Sequence, residues 1–466
     1  MEKYIFILGK NYLLALAELD AYLQTSQYQG KIVDYSTICA IVEFDDQSIE
    51  LEDIGNLMIR LGGVQKIGRM YDFVELETVN KAFPVDIETN RALIYGGRRY
   101  IDNTLKDLVF ELFPEIQDKS FFIATSIYPE SFDDPYYASV LVKFGLHYFN
   151  KFFNTYLKEK GAKKAIYYKY PQENIEKGNL NPIFPHHYFA YKLYEPERAE
   201  ILYCMTDLGM YIGRTITVVD SNLQKALDAD RPYKKFKQTI PPKFGKTLLS
   251  LLQLDEPLTD KRILDPFCGS GTILQFAYLM GMQIYGADQV EEQVVGSRKN
   301  LLYTADLLGR NIPKEEIQKR ILTTDINTID THFNKHYFDG LATEPVLLPY
   351  FEKFPGYTEM VKIIDEEVIP PYEQLFLQSY NLLKPNSRLA LVAPVVFTQD
   401  HKQIGLPIHE MATGAGFKAV QILRTDRFDA KENPRYNFDR GYSKNLFDKG
   451  TKHLMREFYV FARPEE

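Results

Sequence analysis

From about Pro241 to the end, short apolar runs alternate with segments of helical period. The strand-like runs are Arg262-Ile263-Leu264-Asp265, Gln283 to Asp288, Ile321 to Asp325, Phe338 to Ala342, Arg388 to Ala393, Ala419 to Leu423 and Glu457 to Ala462. Helical segments over 272–280, 291–308 and 359–383 separate several of them. Such alternation predicts an α/β fold with a mostly parallel sheet covered on both faces. The last two strands leave no room for a long crossover helix, so an antiparallel edge pair is expected there.

The chain before Pro241 reads differently. Tyr4 to Leu8 is a short strand closed by Gly9-Lys10-Asn11, and a leucine-rich helical stretch follows from Leu13 to Leu23. Ser36 to Phe44 alternates as a strand, Ile54 to Leu61 reads as a helix ended by Gly62-Gly63, and Ile67 to Val74 as a further strand. From about Pro84 to Asp220 the pattern predicts a helix over 101–113, a strand over 121–127 and a long amphipathic helix over 140–160. It then predicts a strand over 166–170 and a hairpin around Asp207-Leu208-Gly209. Both regions are α+β.

Hydrophobic residues make up 45% of the 466 and charged residues 25%, which excludes a disordered or collagen-like chain. Cys39, Cys204 and Cys268 are odd in number and far apart, so neither a disulfide framework nor a metal knuckle is expected. His186-His187 and the pair His332 and His336 lack a third ligand nearby and read as surface or capping histidines. No metal site is expected. No apolar run approaches a membrane span, and Tyr4 to Leu8 is too short for a signal-peptide core, so the cytoplasm is the default location. The net charge of −8 argues against a broadly basic nucleic-acid surface and leaves room only for clustered positive charge. The 33 tyrosines and 31 phenylalanines fit aromatic cores, with base stacking as the functional alternative.

The strongest chemical signal is Ile263-Leu264-Asp265-Pro266-Phe267-Cys268-Gly269-Ser270-Gly271-Thr272. An apolar strand ends in a carboxylate, two glycines let backbone approach a ligand, and a helix opens with Ser270 or Thr272 as cap. Helix N–H groups there face an anionic or polar ligand group, as at the cofactor turn of an open α/β sheet. The segment is neither a Walker loop nor Gly-x-Gly-x-x-Gly. Asp288 ends the second strand, where an acidic residue binds ribose hydroxyls or merely closes a turn. Asp325 ends the third strand, as an acceptor for an adenine amine or as a helix cap.

Residues 265–272 resemble the S-adenosylmethionine motif of class I methyltransferases, in particular the THUMP-containing branch that acts on RNA amino groups. The opening Tyr4-Ile5-Phe6-Ile7-Leu8-Gly9-Lys10-Asn11 is similar to the start of the archaeal and eukaryotic tRNA guanine-N2 methyltransferases that modify guanosine 10. Gly213-Arg214-Thr215-Ile216-Thr217-Val218-Val219-Asp220 resembles their exit from the THUMP domain. Asp230-Arg231-Pro232 and Pro241-Pro242-Lys243 resemble their linker and the helix before the cofactor motif. The resemblance implies a ferredoxin-like α+β domain over 1–83, a THUMP-like RNA-binding domain over 84–220, a linker over 221–240 and a Rossmann-like methyltransferase domain over 241–466. It implies S-adenosylmethionine as cofactor. Asp265, Pro266, Phe267, Gly269, Ser270, Gly271 and Thr272 would lie near the methionyl part, Asp288 at the ribose and Asp325 near the adenine. Pro241 to Lys246 would close over the methionyl side.

The catalytic motif departs from the family. Amino-methylating relatives carry Asp/Asn-Pro-Pro-Tyr/Phe after the fourth strand, because a side-chain oxygen and a backbone carbonyl must hold the amine's two N–H bonds. Their aromatic ring stacks on the extruded base. Here Thr343-Glu344-Pro345-Val346-Leu347 stands in register, so Glu344 and Pro345 are the catalytic candidates. The stacking ring is lost unless Tyr350 or Phe351 replaces it.

For RNA, Lys151, Lys158, Lys160, Lys163, Lys164 and Lys169 stand against one Glu159, with Tyr167, Tyr168 and Tyr170 interleaved. The linker adds Lys234 and Lys235. An RNA-docking face and a solvated helix face both fit such a cluster; with the resemblance, docking is expected. Arg435-Tyr436-Asn437-Phe438 and Lys444 lie in a polar segment that reads as a lid or an insert. The expected activity is methyl transfer from S-adenosylmethionine to an exocyclic amine of RNA, first of all guanine N2 of tRNA, with room for a small activating protein subunit. A catalytically impaired cofactor- and RNA-binding paralogue and a DNA amino-methyltransferase are the alternatives.

Overall fold

The computed structural model describes residues 2–25, 28–44, 51–129, 135–171, 183–234, 239–349, 351, 353–424, 446–448 and 451–465. These divide into two compact units.

The first unit holds Met1–Tyr12, Gly30–Met58 and Val64–Ser221. Its strands are β1 (Lys3–Leu8), β2 (Gly30–Tyr35), β3 (Cys39–Phe44), β4 (Val64–Glu75), β5 (Ser120–Tyr128), β6 (Lys164–Tyr167), β7 (Arg198–Met205) and β8 (Gly209–Val218). They form one sheet in the order β2-β3-β1-β4-β8-β7-β5-β6. The first four keep the β-α-β-β-α-β order of a ferredoxin-like fold, with β2 as a strand that hydrophobic alternation did not reveal. Asp34 interrupts its apolar pattern, and the β2–β3 register shifts between Ile32 and Asp34. The boundary expected at residue 83 does not separate two bodies. The antiparallel β4–β8 ladder, from Lys66↔Val218 to Glu75↔Gly209, joins both regions through backbone hydrogen bonds. Helices α3 (Leu76–Ala82), α4 (Arg91–Leu112) and α5 (Pro135–Glu159) cover the sheet. Phe83, Ile101, Leu105, Phe149, Phe153 and Tyr203 are buried in the core beneath them. The short α6 (Pro185–Ala190) follows.

The second unit holds Leu13–Gln29, Ile59–Gly63 and Asn222–Glu466. The leucine-rich helix α1 (Tyr12–Thr25) therefore packs almost wholly here, and α2 (Leu51–Arg60) ends here. Glu18 of α1 accepts from the N–H groups of Gly62 and Gly63 at 2.8 and 2.7 Å. The expected linker over 221–240 belongs to this unit too, beginning with α7 (Ser221–Asp228). Next come α8 (Pro242–Leu251), β9 (Arg262–Asp265), α9 (Thr272–Leu279), β10 (Gln283–Asp288), α10 (Glu291–Leu307), α11 (Lys314–Arg320), β11 (Ile321–Thr323) and β12 (Phe338–Thr343). They are followed by α12 (Tyr357–Ile363), α13 (Ile369–Leu382), β13 (Leu383–Phe397), β14 (Gln403–Gly405), α14 (Ile408–Gly414), β15 (Lys418–Ala419), β16 (Leu446–Asp448) and β17 (Leu454–Ala462).

The main path of this sheet is β11-β10-β9-β12-β13-β17-β15. β11 through β13 are parallel, and β17 returns antiparallel against β13 from Arg388↔Ala462 to Val396↔Leu454. β15 pairs antiparallel with β17, so the edge pair expected from chain spacing forms, although β15 has only two residues. The single helix predicted over 359–383 is α12 and α13 joined by a π turn at Ile364–Val368. Pro370 and Pro371 supply the reason, since neither can donate the regular helical bond. The order reverses between β9 and β12, the crevice position at which open α/β sheets take ligands. Among the described residues, no helix is long and apolar enough to cross a membrane.

Candidate functional site

Four carboxylates sit at the carboxyl ends of four adjacent parallel strands. Asp265 ends β9, Asp288 ends β10, Asp325 follows β11 and Glu344 follows β12. The alternation of strand and helix places them there without any long-range design in the local sequence.

The turn after β9 is tied inward by its own backbone. The Cys268 N–H donates to Ala287 O at 2.9 Å and the Gly271 N–H to Cys268 O at 2.7 Å. Gly269 and Gly271 take φ of +50° and +82°, in the left-handed region that a side chain resists. At Gly271 a Cβ would also stand 2.4 Å from Ser297 Oγ, whereas at Gly269 it would meet nothing within 4 Å. Gly269 therefore presents bare backbone to open space. Gly271 is itself the N-cap of α9, and no side chain caps that helix. The capping role expected of Ser270 or Thr272 is thus not filled. Ser270 is buried and its carbonyl accepts from Asn300 Nδ2, while the Thr272 hydroxyl accepts from Arg231. Phe267 packs against the core under β12 and β13.

Asp265 is buried, and its Oδ1 accepts from the Thr343 hydroxyl at 2.7 Å and the Phe267 N–H at 3.2 Å. Burial pushes its pKa up to about 7; those two donors pull it back, and the Asp288 and Glu344 carboxylates add to the rise. The folded state therefore holds a proton on Asp265 where the unfolded chain has lost it. The resulting stabilisation is complete below about pH 4 and is lost as pH rises to about 7. Asp265→Asn should flatten the fall in stability across that window, measured as the urea midpoint at a series of pH values; an unchanged slope would show that other groups set it.

Asp288 accepts from the Gly269 N–H through Oδ2 and the Val290 N–H through Oδ1, both at 2.9 Å. It thus braces the glycine turn from the neighbouring strand. Asp325 is the N-cap of a 3₁₀ turn over Ile326–Thr331, accepting the Asn327 N–H at 2.8 Å through Oδ1. The cap reading describes what the carboxylate does within the chain, and its Oδ2 makes no hydrogen bond among the described residues.

Glu344 is held by a partner that the sequence reading missed. Arg456 of β17 donates from Nε to Glu344 Oε2 at 2.7 Å, with side-chain exposures of 17% and 10%. Burial pushes the Glu344 carboxyl up, and the Arg456 guanidinium pulls it back. Oε1 makes no hydrogen bond among the described residues. Arg456 also lies over the Phe244 ring of α8, 6.0 Å from its centroid. No local signal marks Arg456, because the contact spans 112 positions. Pro345 is buried and Val346 is half exposed. Phe351 packs edge-on against Phe354 at 5.4 Å. Tyr350 lies outside the described residues.

Lys246 of α8 is half-buried beside Glu18, and burial brings its pKa down to about 8 while Glu18 opposes the drop. Of the RNA-binding candidates, Lys158, Lys163, Lys164 and Lys169 are exposed at the end of α5 and along β6, together with Ile166 and Tyr167. Lys158 donates to Asn154 at 3.0 Å. Tyr168 and Tyr170 instead turn inward; Tyr168 stands edge-on to Tyr191 at 5.3 Å, and the Tyr170 hydroxyl donates to Thr125 O. Lys234 forms an ion pair with Asp228 at 2.9 Å, with 16% of its side chain exposed. Lys235 and the segment with Arg435, Tyr436, Asn437, Phe438 and Lys444 lie outside the described residues. His336 Nε2 stands 3.0 Å from Arg463 Nη2. Among the described residues no group of three or more His, Cys, Asp or Glu is placed to hold a metal ion.

Residues 245–329 match the family model described as RMKL-like, methyltransferase domain. The tRNA (guanine(10)-N2)-dimethyltransferase of Pyrococcus abyssi is 28% identical over 167 residues, 36% of this chain and 42% of the relative. The enzyme of the same name from Methanothermobacter thermautotrophicus is 39% identical over 74 residues, 15% of this chain and 21% of its own. A probable one from Methanothermococcus thermolithotrophicus is 30% identical over 101 residues, 22% of this chain and 59% of its own. The chain thus spans less than two thirds of the length of each of these relatives. Glycine turn, Asp288 and Asp325 all fall inside the segment that matches this methyltransferase model.

Proposed function

We propose that this chain transfers a methyl group from S-adenosylmethionine to an exocyclic amine of RNA, with guanine N2 of tRNA as the target. The observation that carries the reading is the row of carboxylates at the strand ends beside the order reversal, within and just after the matched methyltransferase domain. The names of the three relatives supply the amine and the RNA.

The residues present fit the cofactor. Gly269 offers backbone facing open space, and Asp265, Asp288 and Asp325 are acceptors at neighbouring strand ends, the group type that a nucleoside and an amino acid require. On this reading Asp265, Pro266, Phe267, Gly269, Ser270, Gly271 and Thr272 hold the methionyl part, Asp288 the ribose and Asp325 the adenine through its remaining oxygen. The bound cofactor supplies an already activated methyl on a sulfonium. The chain has to position the amine and exclude water. Glu344 Oε1 accepts one amine N–H, and the backbone carbonyl of Pro345 accepts the other. Arg456 opposes the upward pull of burial on the Glu344 carboxyl and directs it. Lys158, Lys163, Lys164 and Lys169 meet the phosphates, by charge and shape rather than sequence. A small activating subunit and a cytoplasmic location belong to the same proposal.

One observation favours a second reading, a chain that binds cofactor and RNA without transferring the methyl: Arg456 already occupies one Glu344 oxygen. Methyl transfer from labelled S-adenosylmethionine to unmodified tRNA, with nucleoside analysis, separates the two. N2-methylguanosine, absent with Asp288→Ala, is the expected result. Measurable cofactor binding with no transfer to any RNA would overturn the enzymatic reading, and preferred transfer to DNA in competition at fixed salt would overturn the choice of RNA.

A further inference from the structure

Arg231 is 4% exposed, and it lies against the first turn of α9. Its Nη1 donates to Thr272 Oγ1 at 2.7 Å and to Gln275 Oε1 at 3.1 Å. Among the described residues its Nε and Nη2 have no hydrogen-bond partner, and no carboxylate forms an ion pair with it, although Asp228 acts on it electrostatically. Buried polar groups are nearly always satisfied, and a buried guanidinium edge left without a hydrogen bond is a costly exception.

The position is held firmly. The Tyr233 N–H donates to Asn300 Oδ1 at 2.9 Å, and Asn300 Nδ2 donates to both Tyr233 O and Ser270 O at 2.8 Å. One amide on α10 therefore locks the Arg231 segment to the glycine turn. The Tyr233 ring fills the space over Gly296, where a Cβ would come within 2.1 Å of it. Among the described residues nothing meets those two nitrogens, although the segment that carries them is fixed in place.

Nε and Nη2 form the side-on edge of a guanidinium, the fork that matches the two oxygens of a carboxylate. The N-terminus of α9 adds a field that favours an anion at the same turn. A macromolecular phosphate cannot reach a side chain so buried, so the anion belongs to a small ligand. We propose that Arg231 is the carboxylate anchor for the amino-acid tail of the cofactor, an assignment that rests on the S-adenosylmethionine reading above. The Asp230-Arg231-Pro232 segment then completes the ligand site instead of serving only as a connection.

The test is calorimetric binding of S-adenosylhomocysteine and of 5′-methylthioadenosine, which keeps the adenosine and thioether and lacks the amino-acid tail. Full-length wild type, Arg231→Met and Arg231→Lys are compared. Arg231→Met should weaken S-adenosylhomocysteine on the order of 10- to 100-fold, as expected for a lost hydrogen bond to a charged group. Its affinity for 5′-methylthioadenosine should stay within about twofold of wild type, well below that loss. Arg231→Lys should recover only part of the difference, since an ammonium has no planar fork. Equal losses for both ligands, or no loss for either, would overturn the anchor while leaving the cofactor reading intact. Wild type that binds neither ligand would overturn both. A further arm needs no variant: decarboxylated S-adenosylhomocysteine should bind wild type more weakly, and equal affinity would also overturn the assignment.

Discussion

Glu344→Gln should lower turnover on tRNA about 10²- to 10³-fold, the cost of losing one preorganised charge at the reacting group. Glutamine keeps the length of the side chain and an oxygen for Arg456, so the fold and the cofactor site should hold. What it loses is the carboxylate that draws on the amine's N–H. Single-turnover rates beside cofactor dissociation constants make the check. Wild-type turnover in Glu344→Gln would remove Glu344 from the mechanism, and a parallel loss of cofactor affinity would make the effect structural. Arg456→Met tests the same pair from the other side. Burial raises the Glu344 carboxyl and the guanidinium lowers it, so removing the guanidinium raises it further. Asp265 and Tyr372 also face Glu344 electrostatically, and neither supplies a compensating positive charge. The acid limb of the pH–rate profile should therefore move to higher pH, with the plateau at alkaline pH largely retained.

The largest stability effect is expected in the first unit, at Lys66 and Glu200. Lys66 Nζ lies 2.5 Å from Glu200 Oε1, with side-chain exposures of 2% and 0%. The hydroxyls of Ser126 and Thr215 also donate to Glu200. Burial lowers the Lys66 pKa, and Glu200 opposes the drop. Glu200→Leu leaves an ammonium buried without its counter-ion and should cost about 3–5 kcal/mol. The double variant Lys66→Met/Glu200→Leu should recover most of that loss, because a well-packed apolar pair avoids the desolvation of both charges. Urea unfolding followed by hydrogen exchange on β4 and β7 measures both. A single variant as stable as wild type would mean that water reaches Lys66 after all, and a double variant no better than the single would place the energy in the Ser126 and Thr215 hydrogen bonds.

Neither interaction was legible in the sequence, for a common reason. Glu344 and Arg456 are 112 positions apart, and Lys66 and Glu200 are 134 apart. Hydrophobic period reports which face of an element is buried, and says nothing of which polar side chain another element brings to it. Arg231 shows the same limit in another form. It stood in a segment that resembles a linker, yet it is buried and donates to Thr272 and Gln275. Lys234, expected among the RNA contacts, pairs with Asp228, a partner six positions away that the charge pattern did not single out. The separate domains expected at residue 83 gave way to one sheet, since the hydrogen bonds of β4 find their partner in β8.

Local sequence was decisive where local chemistry decides. Ile263 to Thr272 could only be a strand, a glycine turn and a helix, because positive φ at Gly269 and Gly271 admits little else. Strand–helix alternation then determined a parallel sheet, and with it the carboxyl-end placement of Asp265, Asp288, Asp325 and Glu344. Those signals depend on backbone conformation and on burial of one face, both of which a short window records. The ion pairs, the buried guanidinium beside the turn and the single sheet of the first unit were decided by tertiary structure alone. Their energies depend on desolvation and on partners distant in sequence, and burial that no local pattern encodes sets both.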